Sequence, residues 1–242
     1  MKPIKNHAVR FFSFTKSSKI TLILLSEIII GILVIVLTLA AFLRLSQVID
    51  YKSLTSFDQG ITHMFYNIRT PELTILMRVF TFLGGQIFLE VTIIATIFFL
   101  LISRHIKDGL VFAFILLSGI FLNLYLKNFF QRERPDLSPL VLENSYSFPS
   151  GHAMNAFIFY TCVSYFIFRK LQNTKLGIVL IMLSSVLILL IGVSRIYLGV
   201  HYPSDVIAGY FAGLCWFVLI IIFDKTVYFF KLFRKYELNK KY

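Results

Sequence analysis

The stretch LGIVLIMLSSVLILLIGVSRIYLGVHYPSDVIAGYFAGLCWFVLIIIF, residues 176–223, decides how the rest of the chain is read. Leu176–Val193 and Val206–Phe223 are both apolar runs without a charged residue. Each is as long as the ~18 or more residues that an α-helix needs to cross a bilayer. Between them, Ser194 to Asp205 carries an arginine, a histidine and an aspartate. Charge of that density between two membrane-grade segments is costly unless it has a use. If a helix starts here, His201 and Asp205 are four residues apart and share one face. A carboxylate beside an imidazole fixes the ring tautomer and raises its basicity, which suits a nucleophile or a base. The alternative is a polar loop with a helix cap.

The composition extends this reading to the whole chain. Its 242 residues are 57% hydrophobic with a mean hydropathy of +0.79, above the ~45–50% apolar content of soluble domains. The expected fold is all-α: a six-transmembrane-helix bundle forming a single domain over residues 1–242. Further spans are predicted at Ile20–Phe42, Gln86–Ser103, Leu110–Phe130 and Gly151–Phe168. The first is longer than the ~7–15-residue core of a cleaved signal peptide, so an uncleaved anchor is expected. Glu27 inside it is expected to snorkel to the near interface. Thr70-Pro71-Glu72 is a helix-start signal. The segment it opens, Leu73–Leu83, is too short to span. It reads as a short interfacial helix before the second span, ended by Gly84-Gly85. Glu90 either lines a polar cavity or makes a structural hydrogen bond. Cys162 and Cys215 fall inside apolar runs, where packing is expected rather than a disulfide or a metal site.

The net charge of +12 is a topology signal. Six spans put both termini on one side, and that side collects 16 of the 24 Lys and Arg residues. The positive-inside rule then makes the termini cytoplasmic in a multi-pass cell-membrane protein. The basic excess contacts anionic lipid headgroups, and no nucleic-acid partner is expected.

This alternation places three polar clusters on the opposite, extracytoplasmic face. They are Lys127-x6-Arg134-Pro135, Pro149-Ser150-Gly151-His152, and Ser194-Arg195-x5-His201-x3-Asp205. Lys127, Arg134 and Arg195 suit an anion with several oxygens, because guanidinium matches phosphate geometry. Ser150-Gly151 opens a helix. It is either a plain cap, or a place where backbone N–H groups approach an anion at the positive end of the helix dipole. Two histidines can divide the work: one attacks phosphorus and the other protonates the leaving oxygen.

The ordered set KxxxxxxRP, PSGH and SRxxxxxHxxxD resembles the type 2 phosphatidic acid phosphatase (PAP2) superfamily, which holds integral-membrane lipid phosphatases and soluble vanadium haloperoxidases. The motif-bearing core covers about 74–223. The resemblance implies a bacterial membrane-bound lipid phosphatase. His201 would be a nucleophile forming a phosphohistidine, Asp205 its activator and His152 the general acid. Lys127, Arg134, Ser150, Gly151 and Arg195 would hold the phosphate oxygens. No metal and no cofactor are implied. The candidate substrates are undecaprenyl diphosphate, phosphatidylglycerol phosphate and phosphatidic acid, which enter laterally from the membrane. A lipid phosphotransferase would use the same site, and a non-catalytic lipid-binding or transport protein is the third reading. The sequence does not fix the oligomeric state.

Overall fold

The computed structural model describes residues 19–49, 52–103, 106–171 and 173–239. The basic N-terminal stretch up to Lys16, and Arg104 and His105 of the predicted basic turn, lie outside the described residues. Those described are all-helical, without strands, as predicted. In chain order the helices are α1 (Lys19–Gln47), α2 (Lys52–Asn67), α3 (Pro71–Leu83), α4 (Gln86–Ile102), α5 (Ile106–Phe130), α6 (Gly151–Leu171), α7 (Thr174–Tyr197) and α8 (Pro203–Asn239).

Among the described residues, four helices are long and apolar enough to cross a membrane: α1 from Thr21, α5, α7, and α8 as far as Arg234. The α3–α4 pair, bent by 40° at Gly84-Gly85, makes a fifth if it counts as one broken span. Helix α6, predicted to span, is not among these. Its residues Ala153, Met154, Ala156, Ile158 and Cys162 are almost wholly buried within the protein. A helix shielded by its neighbours is free to carry polar residues that a lipid-facing helix excludes. By contrast, Ile87, Ile94, Phe121 and Met182 are each more than half exposed, as lipid-facing side chains would be.

The chain clusters into two compact units, residues 1–37 with 217–242, and residues 38–216. In the first, Glu27 does not snorkel alone: its Oε2 accepts from Lys225 Nζ at 2.5 Å. Pairing removes the cost of an isolated carboxylate inside an apolar run.

The second unit holds every motif. Helix α6 packs on α5 and α7, α3 and α2 pack on α7, and α4 packs on α5. Between apolar helices in a bilayer, close packing rather than water exclusion drives association, and small residues permit it. Gly209 and Gly213 do this for α8 against α6. A Cβ at Gly209 would lie 2.8 Å from Ser150 O, and one at Gly213 would lie 3.0 Å from Met154 O. Cys162 is buried and Cys215 partly buried, and neither is in a disulfide.

The start of α3 is as read: the Thr70 hydroxyl accepts from Leu73 N with Pro71 in the first turn. Helix α2 was not anticipated. It lies between the first predicted span and the Thr70-Pro71-Glu72 helix start, and it buries Asp58 and Thr62 completely or nearly so.

Candidate active site

The polar stretch between α7 and α8 is a tight helix-to-helix corner. Helix α7 continues to Tyr197, so Arg195 sits in its last turn. The chain then leaves through Gly199, whose φ of +75° favours glycine. Val200 N donates to Arg195 O and Gly199 N to Ile196 O, the paired bonds of a Schellman ending. Helix α8 begins at Pro203, after His201. His201 and Asp205 are therefore not on one helical face, as the spacing suggested. Instead Asp205, in the first turn of α8, reaches back so that its Oδ2 accepts from Tyr202 N at 2.9 Å. That cap turns the same oxygen toward His201 Nδ1, 3.5 Å away.

Lys127 from the last turn of α5, Gly151 and His152 from the first turn of α6, Arg134 and His201 line one cavity of about 200 Å³. Gln86 and Glu90 of α4 and Asn123 of α5 form part of its wall. Glu90 accepts a hydrogen bond from Gln86 Nε2 at 2.8 Å, so both alternatives for it hold. Gly151 is needed for the fit, because a Cβ there would lie 2.8 Å from Asn123 Oδ1. Ser150, Arg195 and Asp205 stand outside the cavity wall. The Ser150 hydroxyl caps α6, facing Ala153 N at 3.5 Å.

The hydrogen bonds around His201 agree on one tautomer. Asp205, as a carboxylate, only accepts. The Ser147 hydroxyl donates to Asp205 Oδ2 at 2.5 Å. Its oxygen is then free to accept from His201 Nδ1, 3.2 Å away. The proton thus sits on Nδ1, and the Nε2 lone pair faces Arg134 Nη1 at 3.3 Å. Burial pushes the His201 imidazole well below its ordinary pKa, and Lys127, Arg134 and Arg195 push it the same way. It is held neutral, with the Nε2 lone pair toward Arg134.

The cations are fixed by carbonyls and one carboxylate. Arg134 donates to Ser145 O at 2.7 Å and to Val200 O at 2.6 Å. Lys127 Nζ donates to Tyr146 O. Arg195 pairs with Glu143 and donates to Thr81 Oγ1 at 2.5 Å. Glu143 also lies 3.8 Å from Arg134. The carboxylate of Glu143 thus sits where the cations converge.

Sequence reasoning missed Asp58, Arg132, Glu143 and Ser147. Arg132 forks between two carboxylates, Asp205 Oδ1 at 2.6 Å and Asp58 Oδ2 at 2.8 Å. Its guanidinium lies over the Tyr202 ring, 4.3 Å from the centroid. The one available signal was a second arginine, two residues upstream of the motif position Arg134.

A family model described as the PAP2 superfamily matches residues 108–228. Phosphatidylglycerophosphatase B of Bacillus subtilis is 36% identical over 187 residues, covering 77% of this chain and 92% of the relative. The chain belongs to the PAP2 superfamily. The resemblance read from the sequence therefore holds, and the chain is a hydrolase of phosphate esters. Among solved structures, a transmembrane PAP2 type phosphatidylglycerolphosphate phosphatase from Bacillus subtilis superposes with a TM-score of 0.74 at 36% identity. That match covers 80% of this chain and 96% of the other. Aquifex aeolicus LpxE gives a TM-score of 0.55 at 26% identity over 68% of this chain and 94% of its own. Lipid A 1-phosphatase of Rhizobium johnstonii is 31% identical over 130 residues, 49% of this chain and 48% of that protein. This PAP2 chain is a multi-pass membrane protein, as its apolar helices and these neighbours together require.

Proposed function

We infer that this PAP2 protein removes phosphate from a membrane lipid through a phosphohistidine on His201. The observation that carries the reading is the His201 ring. Its Nε2 lone pair is presented to Arg134 in a cavity shared with Lys127, Gly151 and His152. Nε2 attacks phosphorus and the P–O bond to the lipid breaks. His152, taking up a proton as the anionic phosphate binds beside it, gives that proton to the departing oxygen. Water then attacks the phosphohistidine, yielding its proton to His152, and inorganic phosphate leaves with His201 restored.

Lys127, Arg134 and the first N–H groups of α6 hold the equatorial oxygens as charge spreads over them. Arg195 joins them once the incoming phosphate takes the place of Glu143. Ser150 contributes by capping α6, and Asp205 by orienting the His201 ring.

The reading includes six crossings, with α6 as a shielded span and α3 as an interfacial helix. Both termini are cytoplasmic and the site opens on the extracytoplasmic face, in keeping with the basic residues gathered on the opposite side. The cavity wall continues from the cations to Leu89, Ile120 and Leu124. A lipid headgroup can therefore reach His201 laterally while its tail stays in the bilayer.

Phosphatidylglycerol phosphate is the first candidate, because the Bacillus subtilis phosphatase matched over nearly its whole length, in sequence and in structure, carries its name. Undecaprenyl diphosphate and phosphatidic acid follow. The test is phosphate release from each lipid in mixed micelles by the wild type and His201→Ala. Release should fall by about 10⁴-fold or more in the variant, the scale on which nucleophile removal acts. Undiminished release, or better turnover of short water-soluble esters than of long-tailed lipids, would overturn the reading.

A further inference from the structure

We propose that Asp58 and Arg132 form a positioning relay that holds Asp205 and Ser147 against His201, making α2 part of the catalytic support.

Asp58 lies outside the PAP2 motifs, Arg132 occupies one of the unspecified positions of the first, and the two are 74 positions apart. Asp58 is fully buried on α2. It accepts from Arg132 Nη2 at 2.8 Å, from Ser204 N at 3.0 Å and from the Ser204 hydroxyl. Arg132 Nη1 donates to Ser204 Oγ at 2.7 Å and to Asp205 Oδ1 at 2.6 Å. Stacking on Tyr202 fixes the plane of the fork. The guanidinium is therefore held at both ends and across its face, and it has one orientation.

Its effect reaches His201 along two routes. Through the side chain, Arg132 occupies Asp205 Oδ1. That leaves Oδ2 to serve Tyr202 N, the Ser147 hydroxyl and the imidazole. Through the backbone, Arg132 O accepts from Ser147 N at 2.8 Å. It thereby places the hydroxyl that lies 3.2 Å from His201 Nδ1. One residue thus sets both groups that face the protonated nitrogen. Asp58 sets that residue: without its carboxylate, Arg132 would have one strong acceptor and freedom to swing away. A buried arginine between two carboxylates is costly to assemble when packing is its only return. Orientation of a nucleophile's partner supplies the other return. Polar groups behind directly acting residues commonly change activity by about 10–100-fold.

The relay rests on the reading of His201 as the nucleophile, and the test separates the two. Phosphate release from phosphatidylglycerol phosphate micelles is measured for full-length Asp58→Asn, Arg132→Gln, Arg132→Lys and Asp205→Asn. Each of the first two is also combined with Asp205→Asn, and His201→Ala is the control. Enzyme is used in excess where turnover is slow.

Asp58→Asn should lower kcat about 10-fold and Arg132→Gln about 100-fold, with KM within about two-fold of wild type. Arg132→Lys should not rescue, because an ammonium cannot fork between two carboxylates. In the Asp205→Asn background each change should cost less than about three-fold more, since these substitutions remove only the side-chain route through that carboxylate and leave the backbone bond to Ser147 in place. A purely structural role gives the opposite result: the losses multiply in the Asp205→Asn background, or thermal stability falls while kcat holds. Either outcome overturns the relay. If Arg132→Gln does not fold, Asp58→Asn carries the same cycle. Activity surviving in His201→Ala would instead remove the nucleophile reading itself.

Discussion

Replacing Ser147 with alanine deletes one oxygen and leaves the shape of a fully buried site almost unchanged. That oxygen donates to Asp205 Oδ2 at 2.5 Å and faces His201 Nδ1 at 3.2 Å. Without it, the imidazole N–H has Asp205 Oδ2 at 3.5 Å, beyond a good N–H···O distance. Hydrogen bonds to charged groups are worth about 1.5–3 kcal/mol. The bond to Nδ1 strengthens as the ring gains positive charge in the phosphohistidine step, so most of that loss falls on the transition state. At about 1.36 kcal/mol per decade, kcat should drop roughly 10- to 100-fold. KM should barely move, because Ser147 does not line the cavity. Steady-state hydrolysis of phosphatidylglycerol phosphate in mixed micelles reads both constants. A kcat within two-fold of wild type in a folded Ser147→Ala protein would refute the reasoning. So would a loss carried wholly by KM.

Other perturbations act on the same site. Gly151→Ala brings a methyl to 2.8 Å from Asn123 Oδ1 and 3.6 Å from Lys127 Cε. Forcing such a fit costs about 1–3 kcal/mol, so a lower melting temperature and a fall in kcat/KM are expected together. Because burial and the neighbouring cations depress the pKa of His201, the neutral ring persists below its ordinary value of 6.5. The acid limb of kcat/KM attributable to it should lie below that pH, and a limb above it would contradict the assignment. In the proposed mechanism Lys127, Arg134 and Arg195 meet the charge on the transferring phosphoryl group, so EDTA should leave the initial rate unchanged. A chelator-sensitive rate restored by a divalent cation would count against the mechanism.

Much of the site was legible because its chemistry is written at fixed spacings. Lys127, Arg134, Gly151, His152 and His201 converge as the motifs imply. The corner between α7 and α8 was readable only in part. Four-residue spacing suggested a shared helical face, whereas Pro203 starts α8 after His201, and the approach of Asp205 is a capping geometry. Asp58 was invisible for a different reason. An aspartate in a polar segment ordinarily faces water, and only the tertiary approach of Arg132 and Ser204 makes its burial tolerable. Ser147 and Glu143 sit in the loop between α5 and α6, where no periodicity fixes which way a side chain points. Helix α6 shows how apolarity can mislead: a buried helix needs less of it than a lipid-facing one.

The most direct measurement is to quench the enzyme during turnover of a lipid carrying labelled phosphate and map the label. Acid-labile, base-stable phosphate should appear on His201 and be absent from His201→Ala. Label on another side chain, or full turnover with no phosphoenzyme detectable in single-turnover experiments, would contradict the account.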